Sequence, residues 1–417
     1  MRKSLSKNRS GFLAVLDVGT TKVCCVVARV ETDGSLRVVG VGHQVSRGMK
    51  AGAIIDMEGV ETSILNAVHS AEQAAGHTIR EVYVNVVGGR PISQIIDIEA
   101  NIGGNAVDET DIKAIMDQGQ MACQGEHREI IHAIPLTYTI DQNQGIRDPR
   151  GMFGDQMALK LHVLQTPLSP LRNLATCIHR CHLDIAGFVV TPYASALGVL
   201  SEDETDLGVT LVDMGGGTTS IAVFLNGEVI YADVVPVGGD HVTNDLARGL
   251  STPLNHAERL KTLYGSAIPS PSDDRELVMV PQVGENDYAD AIQVAKSSLT
   301  AIIQPRVEEI FEMVKGRLEE RGMQTIAGRR LVLTGGASQI FGVKEIASQI
   351  LEKQVRLAKP LPIQGLAEAG SGAAFATCAG LLTYGRRMGG GKSPSSLFLE
   401  KGNSLLENIM EWFRQRF

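Results

Sequence analysis

The stretch LVDMGGGTTSIAVF, Leu211 to Phe224, sets an acid and three glycines between two apolar runs, and AVLDVGTTKVCCVVARV near the N-terminus repeats the plan with Asp17, Gly19, Thr20 and Thr21. Each reads as a hairpin, because β-branched apolar runs flank a short glycine and threonine bend. The segments after the two hairpins match as well: DGSLRVVGVG and NGEVIYADVVPVGG each put an Asp-Gly or Asn-Gly turn before another strand. A chain that carries the same unit twice is constrained to two related half-domains. Its 417 residues also exceed what a single core serves.

Three consecutive glycines cost more backbone entropy than a purely structural turn requires, so this backbone is expected to come close to a ligand. The bare amides of Gly215, Gly216 and Gly217 and the hydroxyls of Thr218 and Thr219 are suited to donate to phosphate oxygens. Asp213 belongs beside phosphate only if a magnesium ion lies between them, held through water, and Asp17 takes the same part in the first hairpin. Two such hairpins facing each other across a cleft would clamp a polyphosphate, with Lys22 as a point charge. A third glycine element, RRLVLTGGASQIFGVKEIASQIL, reads as a strand from Leu331, a turn at Gly335 and Gly336, and a helix started by Ser338. Its glycines would admit a flat base, and the helix start would offer free amides.

The formal net charge of −8 with scattered Lys and Arg gives no nucleic-acid footprint, so neither DNA nor RNA is expected as a partner. None of the six cysteines has CxxC spacing, which suggests free thiols in a reducing compartment, and Cys177 and Cys181 of CIHRCH read as small buried side chains. The N-terminus has a basic start but neither the apolar core nor the cleavage site of a signal peptide, and no window approaches the roughly 20 apolar residues of a membrane span, so the expectation is a cytosolic chain. The GKS within MGGGKSPSS, Met388 to Ser396, lacks the earlier glycine and the preceding strand of a phosphate-binding P-loop and reads as linker.

Taken together, LDVGTTK, VDMGGGTT and LTGGAS resemble the two phosphate loops and the adenosine loop of the actin, Hsp70 and sugar-kinase superfamily. The resemblance implies an α/β, actin-like two-lobed ATPase fold with duplicated ribonuclease H-like half-domains, and ATP with Mg2+ as ligands. TPYASALGVL, Thr191 to Leu200, resembles the helix connecting the lobes. NHAERLKTLYG is similar to a segment touching ribose or adenine in bacterial actins, through Glu258 and Lys261, although the same pair also reads as a solvated ion pair at helical spacing. Spacing identifies no residue that would orient an attacking water, so catalytic residues stay unassigned and any ATPase activity is expected to be weak.

Two further features narrow the superfamily. Between about Glu81 and Thr166 the pattern of strands, a polar helix and more strands reads as a compact α+β insertion. After a Gly, Ser and Pro-rich tether, Leu405, Leu406, Ile409, Met410, Trp412, Phe413 and Phe417 fall on one helical face, with Glu407, Asn408, Glu411, Arg414 and Gln415 opposite. That face is suited to a membrane surface or a partner. Each buried large side chain contributes about 1.5–3 kcal/mol at most, so one tail is a reversible anchor while several on one polymer hold firmly.

With both features, and with SRGMKAGAIIDME, EHREIIHAIPLTYTIDQNQGI and IIQPRVEEIFEMVK, the chain resembles the FtsA family of bacterial actin-like division proteins along nearly its whole length. The resemblance implies subdomain IA over 1–83 and 166–206, the inserted subdomain IC over 84–165, and IIA over 207–250. It implies IIB over 251–328, the rest of IIA with the return to IA over 329–385, a linker over 386–402 and a membrane-targeting helix over 403–417. It further implies self-assembly into a polymer and attachment to phospholipid on the cytoplasmic face of the inner membrane. The C-terminal peptide of FtsZ would be received on IIB, with Arg306 a candidate contact, and later divisome proteins would be recruited. A pilus-assembly scaffold, which would lack the terminal amphipathic helix, and a sugar-kinase-like phosphotransferase, which would need a carboxylate base, are the alternatives. Too few residues remain after the adenosine loop for a chaperone's peptide-binding domain.

Overall fold

A computed structural model describes residues 11–284, 291–366 and 372–389. The amphipathic face over Leu405, Leu406, Ile409, Met410, Trp412, Phe413 and Phe417 lies outside the described residues.

The first lobe starts with β1 (Phe12–Val18), β2 (Lys22–Val30) and β3 (Leu36–Val45), followed by a small hairpin of β4 (Met49–Lys50) and β5 (Ala53–Ile54), then α1 (Met57–Ala75) and β6 (Glu81–Val86). The inserted unit holds β7 (Ile92–Asn101), α2 (Glu109–Cys123), β8 (Arg128–Ile140), β9 (Asn143–Ile146) and β10 (Gln156–Pro167). The chain returns through α3 (Leu168–Arg180), β11 (Asp184–Val190), α4 (Thr191–Val199) and α5 (Glu202–Leu207). The second lobe contains β12 (Val209–Met214), β13 (Thr219–Leu225), β14 (Glu228–Val235), α6 (Gly239–Gly249), α7 (Leu254–Tyr264), β15 (Leu277–Val280) and β16 (Ile292–Ala295). It continues with α8 (Lys296–Glu320), α9 (Met323–Ile326), β17 (Arg330–Thr334), α10 (Val343–Leu351) and β18 (Gln354–Leu357) before α11 (Ala376–Gly389) crosses back.

The duplication is borne out strand by strand. The first sheet runs β3-β2-β1-β6-β11 and the second β14-β13-β12-β17-β18, with the same antiparallel hairpins on one side and the same parallel strands on the other. The central strands β1 and β12 are covered on both faces, which is why FLAVLDV and VTLVDM are nearly continuous apolar runs. On one face of the first sheet α1 buries Val60, Ile64, Ala67, Val68 and Ala71, the spacing of one helical stripe, and it stops at Gly76, whose φ of 61° is left-handed.

The inserted unit forms its own antiparallel sheet, β7-β10-β8-β9, with α2 against it and a separate core of Ile98, Ile115, Met116, Tyr138, Leu159 and Leu161. A boundary at residue 84 falls inside β6, where Val84 pairs with Leu16 and Phe188 of the first lobe's sheet. The polypeptide therefore leaves that lobe only after Val86. A linker starting at residue 386 likewise falls inside α11, because Arg386 to Gly389 continue that helix. The helices α4 and α11 cross so closely at the junction of the lobes that a Cβ added at Gly380 would lie 1.5 Å from the Ala194 carbonyl oxygen.

Candidate functional site

Both hairpins close in the same way. The Gly19 amide donates to the Lys22 carbonyl and the Gly215 amide to the Thr218 carbonyl, each at 2.9 Å, two residues after the respective acid. The hairpins then meet face to face. A Cβ at Gly216 would lie 2.3 Å from Thr21 Cγ2, and one at Gly217 would lie 2.4 Å from Thr20 Oγ1 and 2.9 Å from the Cα of Ala51. The glycine run is thus fitted to the opposing hairpin, most tightly at Gly217, where a methyl group would meet backbone as well as the Thr20 side chain. Thr20 also accepts from the Gly52 amide at 3.1 Å, which places the β4–β5 turn of SRGMKAGAIIDME at the same junction.

Between them lies a cavity of about 120 Å³ lined by Asp17, Gly19, Thr20, Thr21, Lys22, Asp213, Gly215, Gly216, Gly217, Thr218, Gly335 and Gly336, together with Asn85, Val87, Thr191, Ser220, Ala374 and Thr377. On that measure about 10–15 Å³ admits a water, so the space takes a hydrated ion together with phosphate oxygens, and it opens to solvent on one side. Its two acids come from opposite lobes. Gly335 takes φ of 90° and brings its backbone onto the second acid, for a Cβ there would stand 2.3 Å from Asp213 Oδ1.

The acids are neutralised differently. Lys22 Nζ donates to Asp17 Oδ2 at 3.1 Å and lies 4.5 Å from the centre of the Phe375 ring, and Cys378 Sγ approaches the same carboxylate oxygen at 3.7 Å. Burial alone would lower the Lys22 ammonium, but the Asp17 charge overcomes that and holds it above its ordinary range. Among the described residues Asp213 has no cation within ion-pair distance. Burial pushes its carboxyl up to about 6, against the hydrogen bond it accepts from Ser195 Oγ, with the Asp17 charge adding to the rise. Two hard carboxylates from facing walls, with glycine amides between them, suit Mg2+ held through water. Three or more His, Cys, Asp or Glu side chains grouped as metal ligands are absent among the described residues.

Three expected nucleotide contacts, Ser338, Glu258 and Lys261, stand apart from the cavity, as does Arg306, the candidate partner contact. Ser338 starts no α-helix: it lies in a 3-10 turn, Gly336–Gln339, its Oγ donating to the Gly335 carbonyl at 2.7 Å, and α10 begins only at Val343 after Gly342 with φ of 85°. Glu258 and Lys261 do pair, at 2.6 Å, but Lys261 is buried and also donates to the Gly239 carbonyl and to Thr243. Since the amides of Gly239 and Asp240 donate to the carbonyls of Gly215 and Gly216, the pair buttresses the second hairpin from behind. Arg306 on α8 forms a two-pronged pair with Asp245, at 2.6 and 3.1 Å, and a further bond with Glu309, so its charge is engaged within the second lobe.

Sequence reasoning missed Asn85, Thr191 and Thr377. Asn85 accepts from the Val18 amide at 2.7 Å and donates to Thr191 Oγ1 at 3.2 Å, fixing the backbone just before Gly19. A lone Asn within VYVNVV was the available signal, because a fully buried amide has to have partners. Cys177 and Cys181 pack in the core of the first lobe beside α1.

Comparison with known proteins agrees with this architecture. The family model "Cell division protein FtsA" matches residues 210–380, and "SHS2 domain inserted in FTSA" matches residues 88–165, the inserted unit. FtsA of Rhizobium meliloti (strain 1021) is 40% identical over 428 residues, covering 100% of this chain and 97% of the relative. FtsA of Pseudomonas aeruginosa is 34% identical, covering 98% and 99%, and that of Escherichia coli (strain K12) 32%, covering 96% and 97%. Among solved structures, the PilM-PilN type IV pilus biogenesis complex aligns with a TM-score of 0.63 at 14% identity, covering 90% of this chain and 98% of the other. MreB5 of Spiroplasma citri bound to ADP aligns at 0.54 and 13%, covering 91% and 98%. Those two likenesses show the actin-like fold, and the identities to full-length relatives decide the family: this chain belongs to the FtsA family of cell division proteins.

Proposed function

We propose that the chain binds ATP with Mg2+ between its lobes, polymerises, and holds FtsZ to the cytoplasmic face of the inner membrane during division, with later divisome proteins recruited to it. The observation that carries the nucleotide part is the meeting of Asp17 and Asp213 in one cavity, each two residues before a glycine amide that closes its hairpin. Nucleotide selects the closed arrangement of the lobes by its contacts to both hairpins. The closed arrangement is the one competent to polymerise.

Attachment is assigned to the apolar face from Leu405 to Phe417, read from sequence, and FtsZ peptide binding to the region 251–328. No helix among the described residues is long and apolar enough to cross a membrane. Arg306 spends three of its five N–H donors on Asp245 and Glu309 and would contact the FtsZ peptide through the remaining two.

The test is co-sedimentation with anionic vesicles, with and without ATP and FtsZ. The full chain is expected to pellet with vesicles, more strongly with ATP, and to carry FtsZ with it. Trp412→Glu should leave both in the supernatant. Continued pelleting of that variant would remove the anchor, and ATP-independent pelleting would remove the link between nucleotide and polymer.

A further inference from the structure

We propose that Ser195, supported by Thr377, is the positioning residue that sets the Asp213 carboxylate for the nucleotide's cation, across the junction of the lobes. This rests on the nucleotide reading above. Ser195 is a fully buried serine in α4, a helix that is otherwise almost wholly apolar and enclosed. A serine in such a place ordinarily returns its hydroxyl to the carbonyl one turn earlier. Here the hydroxyl is turned to Asp213 Oδ2 instead, and its oxygen lies 3.0 Å from Thr377 Oγ1 in the first turn of α11.

The direction of the hydrogen bonds is set by counting protons. Serine has one O–H, and it is spent on the carboxylate, so the Thr377 hydroxyl is left to donate to Ser195 Oγ or to the Asp213 carboxylate itself, and either bond supports the arrangement. With Oδ2 fixed in this way, the orientation of the carboxylate is set and Oδ1 is directed to the Gly335 side, where the third glycine element meets the cavity. Polar groups this deeply enclosed hold their geometry because losing a partner is expensive.

The donors come from elsewhere than the acid's own hairpin. Asp17 is served by Lys22, five positions along the same hairpin, and keeps its partner however the lobes are arranged. Asp213 sits at the end of β12, while Ser195 and Thr377 belong to the two helices that cross between the lobes. Both helices also pack on β12, with Ala196, Val199 and Ala376 in one core with Val209 and Leu211, so the donors are held over the acid from outside its own hairpin. The next residue along α11, Cys378, approaches Asp17 Oδ2, so the start of that helix touches the settings of both acids.

The experiment is calorimetric titration of the full chain with ADP and ATP, each in Mg2+ and in EDTA, for the parent, Ser195→Ala, Thr377→Val and Thr377→Ser. The expected result is that Ser195→Ala loses about tenfold of the Mg2+-dependent gain in affinity, the scale of one hydrogen bond to a charged group, with affinity in EDTA within about twofold of the parent on the same grounds. Thr377→Val should lose a smaller part of the gain, and Thr377→Ser, which keeps the hydroxyl, should restore it. Equal losses in Mg2+ and EDTA, or an unchanged gain in Ser195→Ala, would overturn the proposal while leaving nucleotide binding in place. A parent that binds no nucleotide overturns both. Should Ser195→Ala fail to fold, the pair Thr377→Val and Thr377→Ser decides: failure of Thr377→Ser to restore the gain overturns the proposal.

Discussion

The two glycine hairpins have one topology, one closing hydrogen bond and one placement of the acid, yet they divide the work unequally. The first brings bulk and charge: Thr20 and Thr21 project across the cleft, and Lys22 accompanies Asp17. The second brings space, in Gly216 and Gly217, and an acid without a cation that depends on hydroxyls from α4 and α11. Duplication thus supplied two similar walls, and the side chains made them complementary.

The harshest way to break this complementarity is to give the bare wall a side chain. Gly217→Val should hold the lobes apart and reduce ATP affinity by more than about a hundredfold in calorimetry, since the clash is with Thr20 and with the Ala51 backbone, on the scale of a few kcal/mol for overpacking. The corresponding change in the first hairpin, Gly19→Ala, meets only the Lys22 carbonyl at 3.1 Å and should be several-fold milder on the same scale. Equal losses would mean that the hairpins do not differ as described.

The charge asymmetry makes a prediction of opposite signs. Asp17→Asn removes the partner of Lys22 and should lower stability by about 2 kcal/mol or more, because an ammonium largely out of water is left unpaired. It would be read as a lower unfolding midpoint in urea at neutral pH. Asp213→Asn should do the reverse in the nucleotide-free protein.

The pH dependence of that gain distinguishes burial from other causes. An acid whose carboxyl rises from 3.8 to about 6 on folding carries no penalty below its unfolded value, an increasing one between 3.8 and 6, and the full penalty above. Asp213→Asn is therefore expected to stabilise by roughly 3 kcal/mol at most at pH 7.5, with the gain shrinking as pH falls below 6 and gone near pH 4. A gain that persists at pH 4 would show that burial of the charge is not its source.

Local patterns carried much of this into the sequence. The hairpins, the acids, the third glycine turn and the inserted α+β unit were legible because each depends on short-range regularities, namely apolar runs flanking glycine and turn residues at fixed offsets. Ser338 and the edge of the insertion were misplaced for a related reason: a 3-10 turn and a strand that passes between two sheets leave no distinct local signature. The pairing of Glu258 with Lys261 was legible as helical spacing, whereas its burial against Gly239 was not.

What the sequence determined alone was the kind of site, two acids and bare amides in duplicate, and through the duplication the two-lobed architecture. Only the tertiary structure decided which side chains complete it. Ser195, Thr377, Asn85 and Thr191 are scattered along the chain and become partners because helices α4 and α11 and strands β1, β6 and β12 converge on one cleft. A buried hydroxyl has no pattern of its own. Its meaning is fixed by what stands within hydrogen-bonding reach, and that is a property of the packed chain.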